Sequence, residues 1–321
     1  MSFEHMPPAA FPDTTPPKKP EIEFTPERIF GPELEVAREI AIAKSGSAGD
    51  FTEDTFHAYM DTLGRLEEGY VRAAATQNEG DETALLVRTA FESLKVSEWN
   101  SHSVFERRTN AREIPEHLKS EVLWQSYAAQ YLGKLNQKYD QKIATARAAG
   151  FWAEQQRMWK SKPDGAPFEQ LKNGILRSVA LEHILSQVNG WEMYAEQDAT
   201  VDAIDKIDLI AISDSDRMFL FQIKERDIAN KDALLQGWAI QEVMPYGQKE
   251  YDYLGKFQKG IERYIRESGI DGQEVTGIYA EISAGTAFMN KETGMPKEEF
   301  ARSLGATLQA LDRPIYKEKA A

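Results

Sequence analysis

The sequence predicts an α+β protein in which an all-helical N-terminal half precedes a C-terminal unit ordered α-β-β-β-α-β around a mixed sheet. Three observations favour this fold class. Apolar residues recur at spacings of three and four through the first half, short β-rich runs fill the second half, and a polar stretch at residues 160–165 separates them. A chain of 321 residues, 41% of them hydrophobic, can bury a substantial core.

The first 32 residues are predicted to form a Pro-rich disordered tail. Eight of the 14 prolines fall between Pro7 and Pro32, among few large apolar side chains. This composition is typical of a solvated leader, and it also suits a docking segment for a protein partner.

Residues 33–160 are predicted to form a helical domain, either a bundle or a dimer arm. Asp50 and Glu53 have the spacing of a capping box, and Pro115 is placed to open a later helix. The apolar positions of the helix after Asp50 are Phe56, Tyr59, Met60, Leu63, Leu66 and Tyr70. Long helices of this kind are compatible with a homodimer.

A second domain is predicted over residues 165–321. Residues 168–188 have a helical pattern that stops at Asn189-Gly190. Strands are expected at 191–195, 207–212, 218–223 and 275–282, with a tight turn joining the second and third, and a helical stretch at 233–268.

Composition excludes several classes of function. With no cysteine, the chain has no disulfides, thiolate metal sites or cysteine nucleophile. A net charge of −14 argues against general adhesion to nucleic acid or anionic lipid, so a phosphate contact requires a local patch. The sequence has neither a long apolar segment nor a secretory signal pattern, so we expect a soluble, cytoplasmic protein.

Three polar residues stand at the ends of the two predicted central strands. Asp208 lies near the start of one, and Gln222 and Lys224 lie near the end of the next. Residues two apart on a strand share a face, and a hairpin would bring Asp208 alongside them. Polar groups in such apolar strands are costly unless they face a cleft, a metal or one another.

These residues carry a family resemblance. Ile207-Asp208-Leu209-Ile210-Ala211, a turn, and then Phe221-Gln222-Ile223-Lys224 resemble the PD-(D/E)XK nuclease superfamily, whose fold is restriction-endonuclease-like. Ile207 stands where the family commonly has proline, and Gln222 stands where it commonly has an acid, a variant similar to Mrr-type restriction enzymes. The resemblance covers about residues 168–282 and implies a Mg²⁺-dependent nuclease, with Mn²⁺ as a substitute, acting on DNA.

The resemblance also implies roles for individual residues. Asp208, the Gln222 side chain and the Ile223 backbone carbonyl would bind the metal, and Lys224 would orient water or stabilise charge on phosphate. Glu182 on the preceding helix is the expected fourth catalytic residue, with Glu169 as the alternative. Asp205, in an acidic loop with Asp198 and Asp202, is an alternative metal ligand to Asp208.

The expected partner is DNA, held through a local cationic patch despite the acidic chain. The candidate phosphate contacts are Arg226, Lys231, Lys249 and Lys256. Restriction, defence, repair or mobile-element processing would suit such an enzyme. The alternative hypothesis is a non-catalytic interaction or assembly protein with a degenerate nuclease fold.

Overall fold

The computed structural model describes residues 51–76, 80–105, 114–159, 167–188, 190–195, 201–225, 238–243 and 253–312. These residues form seven α-helices and one mixed five-stranded sheet, which confirms the helical N-terminal half and the mixed sheet. The Pro-rich tail and the polar stretch at 160–165 lie outside the described residues. Over the part of the chain that is described, each helix is too short or too polar to span a bilayer.

The N-terminal half contains four helices. They are α1 (Glu53–Ala75), α2 (Gly80–Ser101), α3 (Glu116–Lys138) and α4 (Gln141–Met158), with a short 3-10 turn at Ser103–Phe105. The capping box of α1 is formed by Thr52 and Thr55, so the predicted pairing of Asp50 with Glu53 is wrong. A threonine hydroxyl placed directly before the helix can reach the N–H of the third helical residue. Pro115 precedes α3 as predicted.

The C-terminal half contains three helices and the sheet. The helices are α5 (Phe168–Leu185), α6 (Tyr253–Ser268) and α7 (Glu298–Leu311), and the strands are β1 (Trp191–Ala195), β2 (Leu209–Ser213), β3 (Met218–Glu225), β4 (Trp238–Val243) and β5 (Val275–Ile282). Gly190 has a φ of +80°, which lets the chain turn sharply from α5 into β1. A single turn of π-helix, Val201–Asp205, precedes β2.

The strand order across the sheet is β1-β2-β3-β5-β4. All neighbouring pairs are antiparallel except β3 and β5, which are parallel. The predicted hairpin of β2 and β3 is present, with Ile210 opposite Leu220. The parallel pair requires a crossover, which α6 provides.

Two parts of the C-terminal half differ from the sequence prediction. Residues 238–243, predicted as helix, form strand β4, because Trp238 and Val243 become buried when β4 pairs with the edge of β5. The helical part of the predicted 233–268 stretch is limited to α6 within the described residues. Helix α7 was not predicted; it buries Phe300, Leu304 and Leu308.

The sheet separates two apolar layers. Leu220 and Ile210 face α6 and pack with Phe257 and Ile261. Alternate residues such as Phe219 face the other way, into a larger core that includes α5.

That larger core continues into the helical half. The Phe168 ring at the start of α5 lies 6.0 Å from Trp124, 6.1 Å from Trp152 and 6.0 Å from Trp159, measured between ring centroids. Trp152 also donates a hydrogen bond of 2.7 Å to the backbone oxygen of Glu292, which follows β5. The helices α3 and α4 and the sheet therefore share one continuous hydrophobic core.

Candidate active site

A polar group lies at the end of the sheet where β2 begins and β3 finishes. Gln222 and Lys224 share the face of Leu220, the residue that packs toward α6. Their register partners on β5 are Tyr279 and Glu281. The side chains beyond Leu220 thus change from apolar to polar along a single strand.

Asp208 is held against this group by the backbone of β3. Its Oδ2 accepts a hydrogen bond of 2.6 Å from the Ile223 N–H, and its own N–H donates to the Phe221 carbonyl at 2.7 Å. Burial raises the pKa of Asp208, and the charge of Lys224 and the Ile223 N–H act in the opposite direction. A neighbouring cation stabilises the ionised form of such a carboxylate.

Gln222 presents an acceptor that is not satisfied. The residue is only 1% exposed, and its Oε1 has no hydrogen-bond partner in the described part of the structure. A buried polar atom left in this way costs about 1–3 kcal/mol. An amide oxygen in this state suits a ligand that accepts electron density, such as a hard metal ion.

Asp202 is a second acid near Asp208, and the sequence reasoning did not assign it a role. It lies on the π-helical turn before β2 and is half-buried. Burial and the negative charge of Asp208 raise the pKa of Asp202 to about 7, while Lys206 and Lys224 oppose the rise. Glu121, on α3 of the helical half, also raises it. In the sequence, the signal for Asp202 is its place among the acidic residues of the loop before β2.

Arg177 on α5 lies within electrostatic reach of Asp208, and each stabilises the charge of the other. The residue is 6% exposed, and burial lowers its pKa. Its Nη1 lies 3.5 Å from the Glu225 carboxylate, at the end of β3. The cation is therefore buried close to the carboxylates.

Asp205, the alternative metal ligand, is engaged elsewhere. It is 2% exposed and forms an ion pair with Arg263 of α6. Gly260 allows this close approach, because a Cβ at that position would collide with the Asp205 backbone. The geometry gives Asp205 a structural role in joining the π-helical turn to α6.

Glu182, the expected fourth catalytic residue, shows no electrostatic influence of Asp208 or Lys224 on its pKa, and its place in the site stays a prediction. It lies five residues after Arg177 on α5, about 7.5 Å further along the helix axis, and at 3.6 residues per turn its side chain leaves a different face of the helix. Burial raises the pKa of Glu182 to about 7. Glu169, the alternative, is exposed in the first turn of α5.

The candidate phosphate contacts are described only in part. Arg226, Lys231 and Lys249 lie outside the described residues. Lys256 is exposed and lies near the N-terminus of α6. The cationic patch therefore stays a prediction.

The oxygen donors near Asp208 define what the site can bind. Over the described ranges, no three His, Asp or Glu side chains are grouped closely enough to hold a metal ion by themselves. The available set is instead two aspartates and an amide, namely Asp202, Asp208 and Gln222. This set fits a hard, oxygen-seeking cation that keeps part of its water shell.

No family model, curated protein or solved structure matches this chain.

Proposed function

We propose that this protein is a divalent-metal-dependent nuclease that hydrolyses phosphodiester bonds, with DNA as its substrate and a restriction-endonuclease-like C-terminal half. The observation that carries the proposal is the pairing of an acid at the start of β2 with a Gln-x-Lys sequence at the end of β3. The Asp208 carboxylate is fixed by the Ile223 N–H at 2.6 Å. This is the juxtaposition that the sequence resemblance implies.

The unpaired Gln222 oxygen supports a metal at this position. Asp208 would supply one anionic oxygen, Asp202 a second, and Gln222 Oε1 a neutral one, with the Ile223 carbonyl as a further donor. Asp202 would then make up for the acid that Gln222 replaces in the motif. Mg²⁺, or Mn²⁺ in its place, would polarise the phosphoryl oxygens and lower the pKa of an attacking water.

The residues of the chain would act mainly by positioning and by charge. The hydrogen bond from Ile223 fixes one Asp208 oxygen, so the carboxylate is oriented before any ligand arrives. Lys224 shares the face of Gln222 and would stabilise negative charge that develops on the phosphate. The acids of the site repel an anionic substrate, so a fixed cation beside them is required.

The test uses the full chain with plasmid, linear duplex DNA, single-stranded DNA and RNA, each in Mg²⁺, Mn²⁺ or EDTA. Asp208→Asn and Lys224→Ala should each reduce cleavage by at least about a hundredfold, the scale seen when a charge-stabilising group is removed. Asp216→Asn is the matched control, because Asp216 is exposed on the turn of the same hairpin.

Metal binding is measured separately by calorimetry with Mn²⁺. Asp208→Asn should weaken it, and the control should not. Folded wild-type protein that cleaves none of these substrates, with Mn²⁺ affinity unaffected by Asp208→Asn, would refute the proposal and favour a non-catalytic assembly role.

A further inference from the structure

Arg177 is a buried cation whose hydrogen-bonding capacity is incompletely used. Its Nε has no hydrogen-bond partner among the described residues, and its Nη1 has only the long, 3.5 Å contact with the Glu225 carboxylate, although the residue is 94% buried. Unpaired buried donors are unfavourable, and those of a charged group more so. A methionine would fill this position without the desolvation cost of a cation, so the arginine calls for an explanation other than packing.

The guanidinium is directed toward the polar end of the sheet. Its Nη2 lies near Gly174, one turn earlier on α5, so the side chain runs back along the helix. Its ion-pair partner, Glu225, follows Lys224 on β3 and has a side chain that is 54% exposed. A carboxylate this accessible can rotate into water at little cost.

The nearby carboxylates repel an anionic substrate. Asp202 and Asp208 both disfavour a phosphate, and among the described residues Lys206 and Lys224 are cations that act on both acids. Guanidinium is suited to phosphate oxygens because it is planar, always charged and rich in donors. Arg177 acts on Asp208 from the α5 layer.

We propose that Arg177 binds a non-bridging oxygen of the substrate phosphate, and that Glu225 occupies its guanidinium until the phosphate displaces it. This inference rests on the proposed nuclease function, and it identifies a phosphodiester-binding residue that the motif does not contain. Arg177 and Lys224 would then contact the phosphate from opposite layers of the sheet.

The experiment measures binding of inorganic phosphate to the full chain in EDTA by ³¹P NMR titration. Arg177→Met should weaken phosphate binding about 10- to 100-fold, the value of a charged hydrogen bond. Arg177→Lys should show an intermediate loss, because it keeps the charge without the planar donors. Glu225→Gln should strengthen binding, because it removes the competing carboxylate.

Circular dichroism and thermal melting test whether each variant folds. Arg177→Met should fold but melt below wild type, because it removes a cation that stabilises the buried Asp208 carboxylate. If it does not fold, Arg177→Lys and Glu225→Gln still test the proposal by their opposite effects on phosphate affinity.

The outcomes separate this inference from the proposed function. Unchanged phosphate binding in the Arg177 variants, or no gain in Glu225→Gln, would overturn the inference even if metal-dependent cleavage occurs. Opposite shifts in the two kinds of variant, without cleavage of any nucleic acid, would support the anion site and reject the nuclease.

Discussion

Replacing Asp202 with asparagine should stabilise the folded protein in the absence of divalent metal, and the gain should grow with pH. Asp202 has its pKa raised from 3.8 to about 7 in the folded state. A carboxyl group whose pKa is raised on folding destabilises the protein as pH rises from the unfolded pKa to the folded pKa, and the cost is constant above it. Asparagine cannot ionise, so it removes this cost.

The magnitude follows from the two pKa values. At 1.36 kcal/mol per pKa unit, the raised pKa of Asp202 lowers the free energy of unfolding by about 4 kcal/mol at pH 8 and by about 2 kcal/mol at pH 5. These are upper limits for the gain in Asp202→Asn, because the buried amide has its own desolvation cost. The difference in this gain between pH 8 and pH 5 does not depend on the desolvation cost of the amide.

The assay is urea unfolding of the full chain in EDTA at pH 5 and pH 8, followed by circular dichroism. Asp61→Asn is the control, since Asp61 is exposed on α1. Adding Mg²⁺ should stabilise wild type more than Asp202→Asn, because a ligand of the folded state adds its binding free energy. An equal gain at both pH values, or a loss at pH 8 in EDTA, would refute the reasoning.

Three further predictions concern single residues. Gln222→Glu should tighten Mn²⁺ binding and lower the free energy of unfolding in EDTA at pH 8, because it adds a carboxylate to the two of Asp202 and Asp208. Calorimetry and urea unfolding test the two effects, and an unchanged Mn²⁺ affinity would contradict the prediction. Glu182→Gln should raise the free energy of unfolding at pH 8 by up to about 3 kcal/mol, because burial alone raises the pKa of the Glu182 carboxyl to about 7. The variant should keep its cleavage activity. Loss of cleavage with normal stability would show that Glu182 belongs to the site. Arg263→Ala should destabilise the fold by about 3–5 kcal/mol at pH 7, since it removes the Arg263 cation from the buried Asp205 carboxylate. A shift below about 1 kcal/mol in urea unfolding would show that the ion pair contributes little to stability.

The hairpin that carries the site could be predicted because its signals are local. A short polar turn between two β-rich runs fixes which strands pair, and alternation along β3 fixes the shared face of Gln222 and Lys224. The structure contains this hairpin with Leu209 opposite Phe221. Spacing alone was therefore sufficient to bring Asp208 to the end of β3.

Strand β4 could not be predicted because its stability comes from a distant partner. Residues 238–243 pair with β5, in the register Trp238 to Ile282. Their sequence, Trp-Ala-Ile-Gln-Glu-Val, also allows a helix, so local propensity does not decide between the two. Burial of Trp238 against the sheet decides it, and that burial exists only after the chain has folded.

The proposed roles of Asp202 and Arg177 could not be singled out from the sequence for a similar reason. Each lies outside the motif, on an acidic loop and on a helix, where charged residues are ordinarily solvated. Their significance comes from burial and from the nearby Asp208, which a linear sequence does not reveal. The choice of Glu182 was based on its position in the helix, and its role stays a prediction.

The continuous core between the two halves limits how this protein could have been assembled or can be re-engineered. Phe168 packs among Trp124, Trp152 and Trp159, and α3 also brings Glu121 into the field of Asp202. A fragment beginning after residue 160 would lack the three tryptophans and would expose Phe168 and its apolar neighbours on α5 to water, which favours aggregation. Exchange of the sheet half between proteins would have to carry α3 and α4 with it, so these helices and the sheet are expected to evolve as one unit.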